Sequence, residues 1–259
     1  VNNGEKFLSK EDGEITEETM EDFFYIKEVS QEKMLMQIVS LCTGRLKNYG
    51  DYDFFQSIQV LTPTKKGLLG TKELNKALQE KLNPNLENLP EKSNMGATFR
   101  VGDRIMQVKN NYDIDWEKES ASGNVEVGKG VFNGEIGTIT LISERDKIVE
   151  IRFDDDKTAY YDYSELDQIE HSYAITIHKA QRKWIWCSMA IPPSAPILLT
   201  RNLLYTGITR AKKLLIVVGN DNVVNYMIQN IDSKKRNTGL EYKLKNDFGV
   251  GDKNHLYKF

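Results

Sequence analysis

Cysteine is scarce. Cys42 and Cys187 are the only two in 259 residues, which excludes a disulfide framework, and no Cys/His spacing suited to a structural zinc occurs. Such usage fits a reducing cytosol, so a cytoplasmic location and no bound metal are expected. Long apolar runs are also missing. None approaches the ~18 residues of a membrane-crossing helix, and the N-terminus lacks the charged-then-apolar pattern of a secretory leader. No membrane partner is therefore expected. Net positive charge is absent too: Lys and Arg number 35 against 38 acidic residues, a formal charge of −3. Any nucleic-acid partner has to be met by local patches and not by a global field. Finally, the chain holds no G-x-x-x-x-G-K-[ST] loop, since the glycines at 67 and 70 and at 128 and 130 both miss the spacing. Without that loop nothing here cradles β- and γ-phosphates or offers a hydroxyl to Mg²⁺.

What is present is an ordinary balance of 39% hydrophobic and 28% charged residues, enough core for one large or two modest domains. Residues 1–21 are polar and acidic and read as a connector. A short aromatic strand follows at 23–26. Ser30 then caps a helix with Met34, Leu35, Ile38, Val39 and Leu41 at helical spacing, ending near Gly44. Residues 57–61 form another strand, and the loop T-P-T-K-K-G at 62–67 leads to a helix from Thr71 to about Leu82, stopped by Asn83-Pro84. A lysine-bearing strand-to-helix loop can hold phosphate, although an ordinary turn explains these residues equally well.

Between 96 and 170 helical periodicity disappears. Glycine- and aspartate-containing turns divide β-rich runs at 101–108, 137–142, 147–153 and 158–163, the pattern of a small barrel. Residues 113–130 read as a mobile loop, and the Asp154–Asp156 run as a solvated turn. After 170, the apolar strand 173–177 delivers His178, Lys179 and Gln181 at its carboxyl end, where open α/β sheets place ligand groups. A helix at 202–212 carries Leu203, Leu204, Gly207, Ile208 and Ala211 on one stripe and Arg210 on another side. A buried strand closes at Gly219, and Asp221 starts a short helix. A tail with Lys234, Lys235, Arg236, Lys243 and Lys245 reads as a solvated basic run.

The segments S-Y-A-I-T-I-H-K-A-Q at 172–181 and L-L-Y-T-G-I-T-R-A-K at 203–212 resemble the last two motifs of superfamily 1 helicases of the RecD type. Q-V-L-T-P at 59–63, with G-T-K-E-L-N at 70–75 and Leu78-Gln79, is similar to a further segment of that family. F-R-V-G-D-R-I-M-Q at 99–107 and V-F-N-G-E-I-G at 131–137 resemble its inserted barrel. The resemblance implies an α/β, RecA-like, mainly parallel sheet at 1–95 and 171–259, interrupted at 96–170 by an SH3-like β-barrel. It implies ATP and Mg²⁺ as cofactors, single-stranded DNA as substrate with 5′ to 3′ movement, and a preceding motor domain carrying the phosphate loop. Subunits of an exonuclease complex are possible further partners. Carried over by position, Arg210 falls on the catalytic arginine, and Gln181, Tyr205 and Thr209 join it towards ATP. Thr176, His178 and Lys179 fall on the strand-binding motif and Thr62 and Thr64 on strand-backbone contacts; Asn111 and Tyr112 are candidates to bond or stack on a nucleotide, although exposed barrel-rim residues are the commoner explanation. A barrel entered and left between two core elements should be removable with the core still folded.

The chain departs from the family pattern after Gln181. The family continues Q-G-S-E-F-D, where R-K-W-I-W-C stands at 182–187. Two readings are open, a new aromatic contact to DNA or a segment translated out of frame. AGG AAG TGA ATT TGA TGT encodes R-K-W-I-W-C if TGA is tryptophan, and one base later it reads G-S-E-F-D; a nucleotide read of this segment separates the two. The rival to a motor half is a catalytically silent strand-binding or scaffold module. Since the chain starts at Val1, it is expected to be a piece of something longer. With no phosphate loop, the purified 259-residue chain should show no DNA-stimulated ATP hydrolysis in a coupled phosphate-release assay; robust turnover would overturn the assignment of the loop to another segment.

Overall fold

A computed structural model describes residues 22–45, 57–86, 88–120, 123–180, 184–194 and 196–231. The connector at 1–21, Gln181, Arg182, Lys183 and the basic tail lie outside them. In chain order the elements are β1 (Phe23–Lys27), α1 (Gln31–Ser40), β2 (Ile58–Thr62), α2 (Thr71–Leu82), β3 (Glu91–Asn94), β4 (Ala97–Arg100), β5 (Arg104–Gln107), β6 (Asn111–Glu119), β7 (Val125–Val131) and β8 (Ile136–Ser143). They continue as β9 (Ile148–Phe153), β10 (Thr158–Asp162), β11 (Ile169–His171), β12 (Ala174–Thr176), β13 (Trp184–Ile191), α3 (Arg201–Ile208), β14 (Ala211–Gly219) and α4 (Asp221–Gln229).

β1, β14, β13, β2 and β12 lie side by side in one sheet, every pairing parallel. Its strands are apolar on both faces, as a parallel sheet covered on both sides requires. Along β14, Leu214, Ile216 and Val218 pack with Met34, Ile38, Leu74 and Leu78 of α1 and α2. The alternate residues Leu215 and Val217 pack with Leu203, Leu204, Val224 and Met227 of α3 and α4. The run at 214–218 is thus a continuous apolar stretch in sequence and two half-cores in space. α1 starts as expected, with the Ser30 hydroxyl accepting from the Lys33 amide.

The second body is antiparallel, in the order β11-β5-β8-β9-β10-β6-β7, and encloses Ile105, Ile114, Val131, Ile139, Ile151, Phe153, Tyr161 and Ile169 in one cluster. The segment expected to be a mobile loop at 113–130 is instead the β6–β7 hairpin. Its acidic residues hid the alternation: Asp113, Asp115 and Glu117 are exposed, while Ile114 is buried and Trp116 half-buried between them. The Trp116 ring lies across Gly128, where a Cβ would approach it to 2.3 Å, so only glycine fits there. The expected helix at 202–212 also ends early, at Ile208. The Arg210 amide bonds to the Gly207 carbonyl and the Thr209 hydroxyl to that of Thr206, closing the helix in a tight turn so that Ala211 can pair with Trp184.

Asp103 joins the two bodies. Fully buried, its carboxylate accepts from Gln79 (2.6 Å) and Asn83 (2.8 Å) of the α2 end, the Arg100 amide (2.7 Å), His171 Nε2 (3.0 Å) and the Tyr173 hydroxyl (2.9 Å). Gln79 spends its two amide hydrogens on Asp103 and the Thr98 carbonyl, which leaves His171 Nε2 as the proton donor to Asp103. Phe99 and Tyr173 flank the imidazole, with ring centroids 4.7 and 6.2 Å away. Asn75 of α2 adds a clamp, bonding the His171 carbonyl and both backbone groups of Ala174.

The expectation that 96–170 can be excised freely is therefore revised. Excision strands Gln79, Asn83, His171 and Tyr173 without the group they converge on, and buried polar groups left unpaired cost about 1–3 kcal/mol each. Asp103→Ala should lower the unfolding free energy by on the order of 3–5 kcal/mol in urea titration, with Asp103→Asn losing less. A change within about 0.5 kcal/mol would show that Asp103 does not hold the joint.

Candidate nucleic-acid interface

β2 and β12 end level with one another, Thr62 opposite Thr176, so their following loops leave the same edge of the parallel sheet. After Thr62 the chain turns sharply. The Thr62 hydroxyl donates to the Leu69 carbonyl at 2.7 Å, and Thr64 bonds both backbone groups of Lys66. Gly70 sits so close to the loop that a Cβ there would lie 2.6 Å from the Lys65 and Lys66 carbonyl oxygens. This packing projects Lys65 and Lys66 outward as exposed side chains. After Thr176 a single 3-10 turn, Ile177–Lys179, buries Ile177 and leaves His178 exposed.

Lys65 and Lys179 meet at Glu170 of β11. Their ammonium groups lie 3.1 and 3.2 Å from its carboxylate, above a recess also lined by Thr71, Met106 and Thr176. Burial alone would raise the Glu170 carboxyl, but the charge of Lys179 and the hydrogen bonds from both lysines outweigh it and hold it below its ordinary value.

The residues expected here divide. Thr64, Thr176, His178 and Lys179 gather at this edge. Thr62 is at the same place, yet its side chain is wholly buried and spent on Leu69, so it shapes the loop and presents no hydroxyl. Asn111 is corrected likewise: its amide donates to Glu165 and Gln168 and its oxygen accepts from Asp113, a set of bonds internal to the antiparallel body. Tyr112 is 65% exposed and meets Phe132 edge-on at 5.6 Å, itself 42% exposed. Phe132 was missed in sequence because nothing in V-F-N-G distinguishes an outward aromatic from a core one. Glu170 was missed as well, its two lysines being 105 and 9 residues distant.

Tyr205 is on α3, and Thr209 and Arg210 are in the turn that leads into β14 beside the start of β13; α3 itself packs against the Ile177–Lys179 turn, where a Gly207 Cβ would stand 3.4 Å from the Ile177 side chain. The five residues from Lys179 to Trp184 keep the end of that turn and the start of β13 within about 18 Å of each other. Arg210 is half-buried, its Nε bonding the Thr206 carbonyl at 3.1 Å and its own carbonyl accepting from the Trp184 amide. Tyr205 is 46% exposed. Trp184 and Trp186 are 2% and 3% exposed and point to opposite faces of the sheet, which removes them as aromatic contacts to DNA. Strand pairing slips between them, and the buried Trp184 indole N–H has no acceptor among the described residues.

Two family models match the chain. Residues 74–153 match the SH3 domain of ATP-dependent RecD-like DNA helicases, and residues 171–218 the UvrD-like helicase C-terminal domain. An uncharacterized protein of Methanocaldococcus jannaschii is 31% identical over 223 residues, 75% of this chain and 18% of that protein. The ATP-dependent RecD2 DNA helicase of Deinococcus radiodurans is 29% identical over 164 residues, 63% of this chain and 20% of the helicase. The RecBCD enzyme subunit RecD of Buchnera aphidicola (subspecies Schizaphis graminum) is 29% identical over 163 residues, covering 62% and 24% respectively. The chain thus spans between 18% and 24% of the length of these three relatives. In its SH3 segment and in the segment holding β12, β13 and β14 alike, the chain is similar to the RecD-like helicases.

Proposed function

We propose that this chain is the second, RecA-like motor domain of an ATP-dependent DNA helicase with an SH3-like insertion, the first motor domain lying in another part of the full protein. One observation carries the reading: two chemically distinct groups of side chains flank one parallel sheet, one in the loops after β2 and β12 and the other on α3 and the turn into β14. Lys65, Lys179, His178 and Thr64 form the strand-facing edge. They offer cations and small donors to phosphate oxygens with no base-reading side chain among them, the chemistry of sequence-independent binding. Tyr112, beside Phe132, offers aromatic faces on which bases stack whatever their identity.

In the other group Arg210 supplies a guanidinium whose stem is pinned to Thr206, with Tyr205 next to it. The set suits anionic oxygens: guanidinium stays charged at every working pH and spreads that charge over phosphoryl oxygens as they become more negative. ATP with Mg²⁺, held mainly by the phosphate loop of the other motor domain, supplies the free energy of phosphoryl transfer to water. Arg210 acts as an arginine finger, while Thr209 shapes the turn that carries it and Tyr205 borders the nucleotide. Gln181 falls in sequence between Lys179 and Trp184, and by the resemblance it couples the strand to the nucleotide. Movement from 5′ to 3′, and association with exonuclease subunits like those implied by the RecBCD name of one relative, follow from the resemblance.

The two groups are separable by mutation in the full-length enzyme. Arg210→Ala should leave single-strand affinity unchanged and cut ATP turnover by roughly 10³-fold. Lys179→Ala should weaken binding to all sequences equally and lower the salt slope by roughly 0.7, the value for one phosphate contact on a single strand. Weakened DNA binding in the arginine variant with turnover intact would reverse the two assignments. Turnover at the wild-type rate in both variants would favour the silent binding module.

A further inference from the structure

Two lysines from different elements converge on one carboxylate from a third. Lys65 is in the loop after β2, Lys179 in the turn after β12, and Glu170 on β11 of the antiparallel body. The ammonium groups reach Glu170 at 3.1 and 3.2 Å, and the hydroxyl-bearing Thr71 and Thr176 line the recess beneath. What gathers around this carboxylate is a pair of cations beside a recess with two threonines in its lining. Glu170 is the oxyanion that pair now holds.

We propose that Glu170 is an internal stand-in for a strand phosphate, occupying the Lys65–Lys179 pair until single-stranded DNA displaces it. This rests on the reading of the edge as a strand-binding face. Displacement is sterically simple. The Glu170 side chain is 48% exposed, and β11 pairs with β5 over three residues at the rim of its sheet. Rotation of the side chain into solvent therefore disturbs no packed core. The lysines keep Glu170 ionised, so the competition is between two anions and not between an anion and a neutral acid. Two consequences follow. The face is partly neutralised when empty, one carboxylate against two ammonium groups, which weakens indiscriminate polyanion binding. Occupancy by a strand also releases a contact between the two bodies, because Glu170 belongs to one and both lysines to the other. His171, the next residue, remains anchored on Asp103, so the release is confined to the Glu170 side chain.

The test uses the 259-residue chain and fluorescein-labelled oligothymidylate, read by anisotropy at fixed moderate salt. Glu170→Gln keeps the shape and removes the charge, and should tighten binding roughly three- to tenfold, the worth of one or two surface ion pairs no longer competing. Glu170→Ala should move in the same direction. In a Lys65→Met/Lys179→Met background the gain should vanish, since the competitor then has nothing to occupy. If Glu170 merely props the lysines in place, both Glu170 variants bind more weakly, and the proposal fails. If Lys179→Met weakens binding while Glu170→Gln leaves it unchanged, the proposal fails and the strand-binding reading stands. If Lys179→Met and the double methionine variant bind as wild type does, the reading of the face fails, and the proposal with it.

Discussion

A single buried carboxylate determines how the two bodies of this molecule are held. Asp103 sits where the end of α2, the first turn of the antiparallel body and the strand returning to the parallel sheet all meet, and it accepts a hydrogen bond from each. A buried carboxylate is tolerable only when its oxygens are saturated with donors, so the arrangement is close to all-or-none. Any rotation of one body against the other breaks several charge-assisted bonds at once. Asn75 and Gln59 reinforce the same joint by binding the backbone carbonyls of 171–174. Motif positions such as Asn75 and Gln79, which invite a ligand-binding role by their polarity, are in fact the screws of this joint.

Rigidity at the joint is what lets the recess be composite. Glu170 and Met106 come from the antiparallel body, Lys65, Thr71, Thr176 and Lys179 from the parallel one, and the Asp103 cluster lies one residue further along β11. β5, whose Met106 lines the recess, ends at Gln107, and β6 follows from Asn111 with Tyr112 against Phe132. Under the proposed function a single strand meets the lysines of the parallel body and the aromatics of the antiparallel one. Arg210 stands beside the start of β13, in the turn before β14. One sheet flanked by two different chemistries is what a strand-coupled motor half needs.

The parallel sheet was legible because its residues obey local rules. The apolar run at 214–218, the Ser30 cap and the stop at Asn83-Pro84 each admit one structure. The strand-edge cluster was legible because Thr176, His178 and Lys179 are contiguous. What was lost depended on distance or disguise. The β6–β7 hairpin alternates correctly, but its outward residues are acidic enough to look like loop. Arg210 was put on a helix because Ala211 and Lys212 are good helix formers; pairing of Ala211 with Trp184 overrides that propensity. Thr62 and Thr64 look interchangeable in sequence, yet one hydroxyl faces inward and the other stands at the surface. His171 had no visible partner because Asp103 is 68 residues away.

The most direct measurement is ultraviolet cross-linking of oligothymidylate to the purified chain, followed by peptide mapping. The account predicts adducts on the peptides carrying Thr64–Lys66 and His178–Lys179, together with adducts at Tyr112 or Phe132, so that both bodies are marked. Adducts confined to Tyr205 and Arg210, or to the basic tail alone, would contradict it.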